Sequence, residues 1–205
     1  MMKMPLSRLA VLPLLCCALL LAACSLQRPH LSTSSLFDLG PLRSGGPALP
    51  AVRVSVAEVN PAAWLDNNAM FYRLLYVNDQ QPRAYSQNRW VMPPAQLFGQ
   101  RLKARIAAAG GVAAAASDAP ENLSQLRIEA DEFTHVFDAP DKSRGQVAMR
   151  VSVYNGRMLI AQKSFLSQAA APSHDASGGA KALAAASDIV INDMIAWLAT
   201  LPLKR

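Results

Sequence analysis

Residues 9–24, which end at Cys24, constrain the chain most, because they decide in which compartment the protein folds. Two basic residues precede an uncharged apolar segment, and small residues come directly before Cys24. A basic start, a short apolar core and small residues at a cleavage point are typical of a secretory signal peptide. The apolar core is shorter than the roughly 20 residues that a membrane span needs. We therefore predict that residues 1–23 are a cleaved leader and that the rest folds outside the cytoplasm.

The end of this stretch, Leu21-Ala22-Ala23-Cys24, resembles the lipobox of bacterial lipoproteins. The resemblance implies cleavage between Ala23 and Cys24, a diacylglycerol on the Cys24 sulfur and a fatty acyl group such as palmitate on the new amine. The alternative is an ordinary cleaved leader with a chance cysteine. In the best-known sorting rule, an Asp after the cysteine retains a lipoprotein in the inner membrane. Ser25 stands there, which favours an outer-membrane anchor facing the periplasm.

The mature chain is long enough for one domain with a substantial core. Removing the leader leaves 182 of the 205 residues. It also removes two of the 20 basic side chains, so the mature chain has 18 basic and 14 acidic residues. This mild positive charge is compatible with anionic lipid head groups, but it does not predict a nucleic-acid partner. Residues 24–35 are polar and rich in serine, which predicts a flexible lipidated tether. Residues 36–205 are expected to form the single domain.

The cysteine positions exclude several kinds of chemistry. Cys16 and Cys17 leave with the leader, and the lipid occupies Cys24. The domain therefore has no disulfide, no catalytic thiol and no cysteine-bound zinc or iron–sulfur cluster. We predict no cofactor and no metal ion, and we expect the apolar core alone to hold the domain together.

The hydropathy pattern predicts an α+β domain with a mostly antiparallel sheet of five to seven strands and two long helices packed on one face. Alternating apolar residues indicate strands, and an apolar face with a 3.6-residue period indicates helices at 93–109 and 181–201. Residues 172–179 look like a loop. The predicted strands cover residues 36–39, 52–56, 70–77, 83–91, 126–137, 147–153 and 158–166.

Three local features sharpen this outline. Asn155-Gly156 between two alternating runs predicts a hairpin with a type I′ turn. The alternation changes parity between Ala130 and Phe133, which predicts a β-bulge. The second helix has an apolar arc wider than burial on a core requires. We favour deep burial of this arc against the sheet, and the alternative is contact with a partner or a lipid tail.

The polar residues do not form a recognisable catalytic site. The three histidines are separated, and we interpret His135 as a strand-edge residue. Asp131 and Glu132 are neighbours on a strand and point to opposite faces, so they cannot act as a pair. Asp138 and Asp141 fit a polar turn better than a calcium site. The sequence therefore indicates a binding or structural protein rather than an enzyme.

A set of motifs in residues 36–109 is more specific. An opening strand is followed by a Tyr-Arg strand, a tyrosine before Trp-x-x-Pro-Pro, and a helix with spaced leucines. These motifs resemble those of the ABC-type transport auxiliary lipoproteins, with Phe37 in place of the usual tyrosine and a proline-rich segment after Gly40. The motifs are Leu36-Phe37-Asp38-Leu39-Gly40, Tyr72-Arg73-Leu74, Tyr85, Arg89-Trp90-Val91-Met92-Pro93-Pro94, Leu97 and Leu102.

The resemblance implies a periplasm-facing outer-membrane lipoprotein that assists an intermembrane lipid transport system. Its implied partners are an ABC ATPase with its permease and an inner-membrane protein with MCE domains. Lipid contact and a homo-oligomer both remain open at this point. The family motif offers Tyr72, Arg73, Trp90, Pro93 and Pro94 as contact or core residues, and we favour a core role for Trp90.

Two alternatives from other classes remain. The first is a structural lipoprotein that helps to assemble an outer-membrane barrel or a glycolipid exporter. The second is a periplasmic hydrolase, which the absence of a nucleophile–base pattern makes the weaker of the two.

Overall fold

The computed structural model describes residues 34–42, 47–118, 120 and 122–204, so the predicted leader, the cleavage site at Ala23 and the lipidated Cys24 lie outside the described residues. Residues from Ser34 onward form one unit. A 3-10 turn at Ala63–Leu65 precedes the fourth strand. Within the described ranges the elements are β1 (Ser35–Phe37), β2 (Arg53–Val56), β3 (Asn60–Pro61), β4 (Ala69–Leu74), β5 (Pro82–Trp90), α1 (Pro94–Ala108), β6 (Val112–Ala115), β7 (Ser124–Ala139), β8 (Lys142–Asn155), β9 (Met158–Ala170) and α2 (Ala176–Leu198).

The long strand β7 organises the sheet. Along one edge it pairs antiparallel with β8, which in turn pairs with β9. Along its other edge it pairs in parallel with β2, then β3, then β4. The sheet therefore forks at β7: one arm continues from β2 to β6, and the other continues from β4 through β5 to β1.

The α+β class is confirmed, but the prediction of a mostly antiparallel sheet of five to seven strands is wrong. Over the residues that the structure describes, nine strands form a mixed sheet, and five of its eight pairings are parallel. Hairpin signals reveal only strands that are neighbours in sequence. The parallel pairs join strands separated by long connections, such as β2 and β6 with α1 between them, and no local signal marks them.

Both helices form, with one boundary shifted. Helix α1 begins at Pro94 after an N-cap at Pro93, in agreement with the predicted 93–109. Helix α2 begins at Ala176, inside the segment predicted as a loop, and ends at Leu198. The Asp175 side chain caps it by accepting a hydrogen bond from the Gly178 N–H at 2.7 Å. Packing against the sheet outweighs the low helix propensity of the glycines in its first turn.

The predicted β-bulge and the predicted β8–β9 hairpin are both confirmed, but the turn of the hairpin is of a different type. The register of β7 against β8 shifts between Ala130 and Glu132, as a bulge requires. The β8–β9 hairpin forms, but its two-residue loop is Gly156-Arg157, because Asn155 already pairs with Met158. Gly156 has a positive φ of 63°, whereas Arg157 does not have a positive φ. This is the pattern of a type II′ turn rather than the predicted type I′ turn.

The apolar arc of α2 lies deep in the core, as the favoured interpretation predicted. Helix α2 packs on β7, β8 and β9, and α1 packs on β6 and on α2. Burial of this many aliphatic side chains is the main stabilising term of the domain. In the C-terminal half of α2, after Asp188, the side chains that are at most 1% exposed are Val190, Ile191, Met194, Ile195 and Leu198.

The N-terminal half of α2 comes unusually close to the sheet. His135 on β7 and Gly145 on β8 are paired in register. A Cβ at Gly145 would lie 2.4 Å from the Leu183 backbone nitrogen, and a Cβ at Gly179 would lie 2.4 Å from Nδ1 of His135. Glycine at both positions is therefore what allows helix and sheet to touch here.

We expect Gly179→Ala to destabilise the domain, although alanine is the better helix former by about 1 kcal/mol. The added methyl group would push α2 away from His135, and such overpacking typically costs about 1–3 kcal/mol. Gly99→Ala on α1 is the matched control, because its Cβ would lie 3.2 Å from a Val59 methyl group that can shift. Urea unfolding of the mature chain compares the two. Equal stability of both variants would show that the close approach of α2 does not limit packing.

Candidate functional site

The structure separates the residues of the family motif into different environments. Tyr72 and Arg73 are successive residues of β4, so their side chains lie on opposite faces of the sheet. Trp90 is buried in the core, and its ring packs edge-on against Phe133 with ring centroids 5.6 Å apart. Pro93 and Pro94 form the start of α1. These residues therefore do not converge on one site.

Tyr72 instead belongs to an aromatic cluster beneath α2. Its ring lies 4.6 Å from that of Tyr85 and 6.1 Å from that of Phe137, and His135 lies 4.4 Å from Phe137. The Tyr85 hydroxyl and Nδ1 of His135 share a hydrogen bond at 2.9 Å. The cluster joins β4, β5 and β7 on the face that α2 covers at Gly179.

His135 is a buried residue of this cluster, so its interpretation as a strand-edge residue is wrong. It is fully inaccessible, and its Nε2 has no hydrogen-bond partner among the described residues. Burial lowers the pKa of His135 from 6.5 to about 4, against a smaller opposing effect of the Asp175 carboxylate. Burial also raises the pKa of Tyr85 well above its ordinary value. Both side chains are neutral at neutral pH; His135 is fully enclosed, whereas Tyr85 is half-buried.

Arg101 is a buried arginine whose guanidinium makes a bidentate ion pair and two further hydrogen bonds. Its Nε and Nη2 donate to the two carboxylate oxygens of Asp188, each at 2.7 Å. Its Nη1 donates to the carbonyl oxygens of Leu39 and Gly40 at 3.0 and 2.9 Å. One guanidinium therefore fastens the segment after β1 to both helices. Sequence analysis missed this contact because a charged residue beside an apolar helix stripe is usually solvated.

A cleft of about 570 Å³ lies beside this contact, between the β1 segment and the first half of α2. Its size falls in the range of small-molecule sites. Leu36 and Val91 on its rim are 62% and 46% exposed. Its other lining residues include Phe37, Ala180, Lys181, Ala184, Arg101 and Asp188. This lining can accept an apolar group, and it also contains the Ser177 hydroxyl one helical turn before Lys181.

Arg73 occupies the opposite face of the sheet and organises the turn between β4 and β5. It lies 3.6 Å from a carboxylate oxygen of Glu132, and its Nη1 donates to the Asp79 carbonyl oxygen at 2.9 Å. Its guanidinium also lies 6.0 Å from the centre of the Trp64 ring. Arg73 thus ties the turn to the body of the sheet.

Two of the acidic residues considered above, Asp138 and Asp131, have arginine partners. Asp138 forms an ion pair with Arg144, whose hydrogen bond holds the pKa of that carboxyl below its usual range. Asp131 accepts a hydrogen bond from Arg150 at 2.9 Å. Over the described ranges, no three His, Cys, Asp or Glu side chains are grouped as a metal site requires. Also within these ranges, no helix is both long and apolar enough to cross a bilayer.

Comparison with known proteins establishes the family. The family model of the ABC-type transport auxiliary lipoprotein component matches residues 37–195, so this chain belongs to that family. A crystal structure of a DUF330 family protein from Xanthomonas campestris has a TM-score of 0.68 at 16% identity, over 80% of this chain and 94% of that one. An uncharacterized protein has a TM-score of 0.65 at 18% identity, over 80% and 97%. A search of curated proteins gives no significant match.

Replacement of Arg101 by leucine should lower the free energy of unfolding by about 3 kcal/mol, because it leaves Asp188 and two carbonyl oxygens without their charged donor. Arg105→Leu, one turn later on α1, is the control. Among the described residues Arg105 donates to the Asn192 side chain at 3.1 Å, a single uncharged partner, so its loss should cost less than about 1 kcal/mol. Denaturant unfolding gives both values, and similar losses would contradict the special role of Arg101.

Protonation of His135 should make the domain less stable in mild acid. The pKa of about 4 in the folded chain lies below the ordinary 6.5, so only the unfolded chain binds the proton between these values. The free energy of unfolding should therefore fall as pH drops from 6.5 to 4, by about 3 kcal/mol at most. The shifted carboxyls of Asp138 and Asp175 titrate below this window.

Unfolding curves at several pH values isolate this effect. His135→Leu should flatten the dependence between pH 6.5 and 4, whatever its absolute stability. His174→Gln should keep most of the dependence, because burial is the largest cause of the shift at His135 and His174 is the smallest of its three causes. A wild-type free energy of unfolding that does not change across the window would show that His135 is not kept neutral by burial.

Proposed function

We propose that this chain is a non-catalytic accessory subunit of an ABC/MCE-type intermembrane lipid transport system, anchored in the outer membrane and facing the periplasm. The family match over residues 37–195 carries this proposal, because the family is defined as an auxiliary component of ABC-type transport. The same match favours a transport role over a barrel-assembly role. The proposed partners are an MCE-domain protein and the permease and ATPase of the system.

The anchor is supported by the sequence before the domain. Leu21-Ala22-Ala23-Cys24 provides the cleavage point and the thiol for lipid attachment. Each buried methylene contributes about 0.8 kcal/mol, and a single acyl chain holds a protein only marginally. A diacylglycerol with a third, amide-linked chain makes the attachment effectively permanent. The domain is thereby confined to one membrane surface.

The proposed non-catalytic role agrees with how the described polar residues are used. Arg101 and Asp188 fasten the helices to the β1 segment. Arg73 holds a turn, and His135 fills a packing contact beneath α2. Each of these groups therefore has a structural task in the described part of the chain.

A docking role follows from the physics of lipid transfer. Exposing an acyl chain to water costs about 25 cal/mol of free energy for every Å² of apolar surface. Lipid must therefore cross the periplasm inside a protein conduit. Such a conduit has to end at the outer membrane. A tethered domain raises the local concentration of its docking surface, so each individual contact can be weak.

Crosslinking in intact cells, followed by affinity purification of the full chain, tests the proposed partnership. We expect an MCE-domain protein in the purified material, identified by mass spectrometry, together with components of the ABC transporter. Cys24→Ala should lose palmitate labelling and outer-membrane fractionation, and it should reduce this capture, because the tether no longer concentrates the domain at the membrane.

Cys17→Ala is the matched control, because it removes a leader cysteine and leaves the lipobox intact. It should keep labelling, fractionation and capture. Failure to recover any MCE-domain protein with the wild-type chain would count against the partnership. Outer-membrane fractionation of Cys24→Ala at the wild-type level would show that lipid on Cys24 is not the attachment.

A further inference from the structure

The turn between β4 and β5 exposes three consecutive apolar side chains. Leu75, Tyr76 and Val77 are 37%, 47% and 58% exposed. Apolar residues scattered singly over a surface need no explanation, but a contiguous apolar projection marks a contact site. We refer to residues 75–77 as the apolar turn.

The apolar turn is held in one conformation. The Leu75 N–H donates to the Phe137 carbonyl oxygen at 2.9 Å, and the Val77 N–H donates to the Leu74 carbonyl oxygen at 3.1 Å. Arg73 binds the Asp79 carbonyl oxygen on the far side of the turn. The three side chains are therefore presented in a preformed arrangement, which limits the conformational entropy lost when they bind a surface.

The direction of β1 relates the apolar turn to the lipid anchor. Strand β1 runs parallel to β5, with Ser35 beside Asn88. Strand β5 begins at Pro82, which pairs with Arg73 at the turn. The N-terminal end of β1 therefore faces the apolar turn, at about 20 Å along the strands. Ten residues lie between Cys24 and Ser35, and the eleven Cα-to-Cα steps from one to the other span at most about 38 Å.

The charged residues around the turn leave little net charge to select a partner. Arg73 pairs with Glu132, and Arg144 pairs with Asp138. The remaining charged neighbours in the two adjoining hairpins are of both signs; they are Asp79, Arg83, Asp141 and Lys142. A surface that binds the turn must therefore do so through apolar contact, and a membrane interface offers this to a tyrosine flanked by aliphatic residues.

We propose that the apolar turn is a second membrane contact, inserted at the boundary between head groups and acyl chains of the leaflet that holds the Cys24 lipid. This inference rests on the lipid anchor of the proposed function. The reach of the tether exceeds the distance from β1 to the turn, so both contacts can be made together. Two contacts fix the orientation of the domain, whereas the tether alone leaves it free to rotate.

Tryptophan fluorescence of the full lipidated chain in phospholipid vesicles tests this contact. After subtraction of the wild-type spectrum, the emission maximum of the tryptophan added in Val77→Trp should shift to shorter wavelength when vesicles are present. Its emission should be quenched when the vesicles contain brominated acyl chains. The loss should be equal in phosphatidylcholine vesicles and in vesicles that also contain phosphatidylglycerol, because the contact is apolar. Leu166→Trp, at a residue of β9 that is 65% exposed, is the matched control and should not be quenched.

Other outcomes overturn the inference in distinguishable ways. Absence of quenching at residue 77 in a chain whose Cys24 lipid is confirmed by mass spectrometry removes the second contact and leaves the anchor. Absence of both the lipid and the quenching removes the anchor as well. A wavelength shift at residue 77 without any quenching by brominated lipid indicates contact with protein, such as a second copy of the chain, and also overturns the inference.

Discussion

The contact of α2 with the His135–Gly145 pair is the constraint on which the rest of the domain depends. The sheet forks along β7, so its two arms share only this strand. Helix α2 covers the antiparallel half at Gly145, and its Gly179 rests on His135. The His135 imidazole is hydrogen-bonded to Tyr85, which belongs to the arm formed by β4, β5 and β1. One packing contact therefore holds the helix, the central strand and one arm in a single core, and this explains why a costly buried histidine is tolerated there.

Arg101 extends this core to the N-terminal segment. Strand β1 is short and pairs only with β5, so its three residues offer little resistance to detachment. The bonds from Arg101 to the carbonyl oxygens of Leu39 and Gly40 lie just after it, and Asp188 braces the guanidinium from α2. In a lipid-anchored chain, any pull on the tether reaches the domain at β1. The arginine transfers that load to two helices rather than to a single edge strand.

Local patterns predicted the elements better than their arrangement. Hydropathy periods located both helices, and the hairpins β4–β5 and β8–β9 join neighbours in sequence. The parallel pairings of β7 involve no local signal, and Arg101 meets Asp188 at a separation of 87 residues. The start of α2 was missed because Gly178-Gly179 resembles a loop, whereas close packing on the sheet requires glycine there. His135 was misjudged and the contact of Arg101 was missed for a common reason: the partners that make their burial favourable lie on other elements.

The long strand β7 also separates the two exposed apolar ends of the domain. Its C-terminal end lies beside the apolar turn, where Phe137 binds Leu75. Its N-terminal end lies beside the β8–β9 turn, where Ser124 binds Asn155 and where Met158 is 64% exposed. Thirteen residues of strand separate these points by about 40 Å. If the apolar turn rests on the membrane, as we propose, the β8–β9 end points away from that membrane and is the end open to the proposed partner. The fold itself can then set the orientation that docking requires.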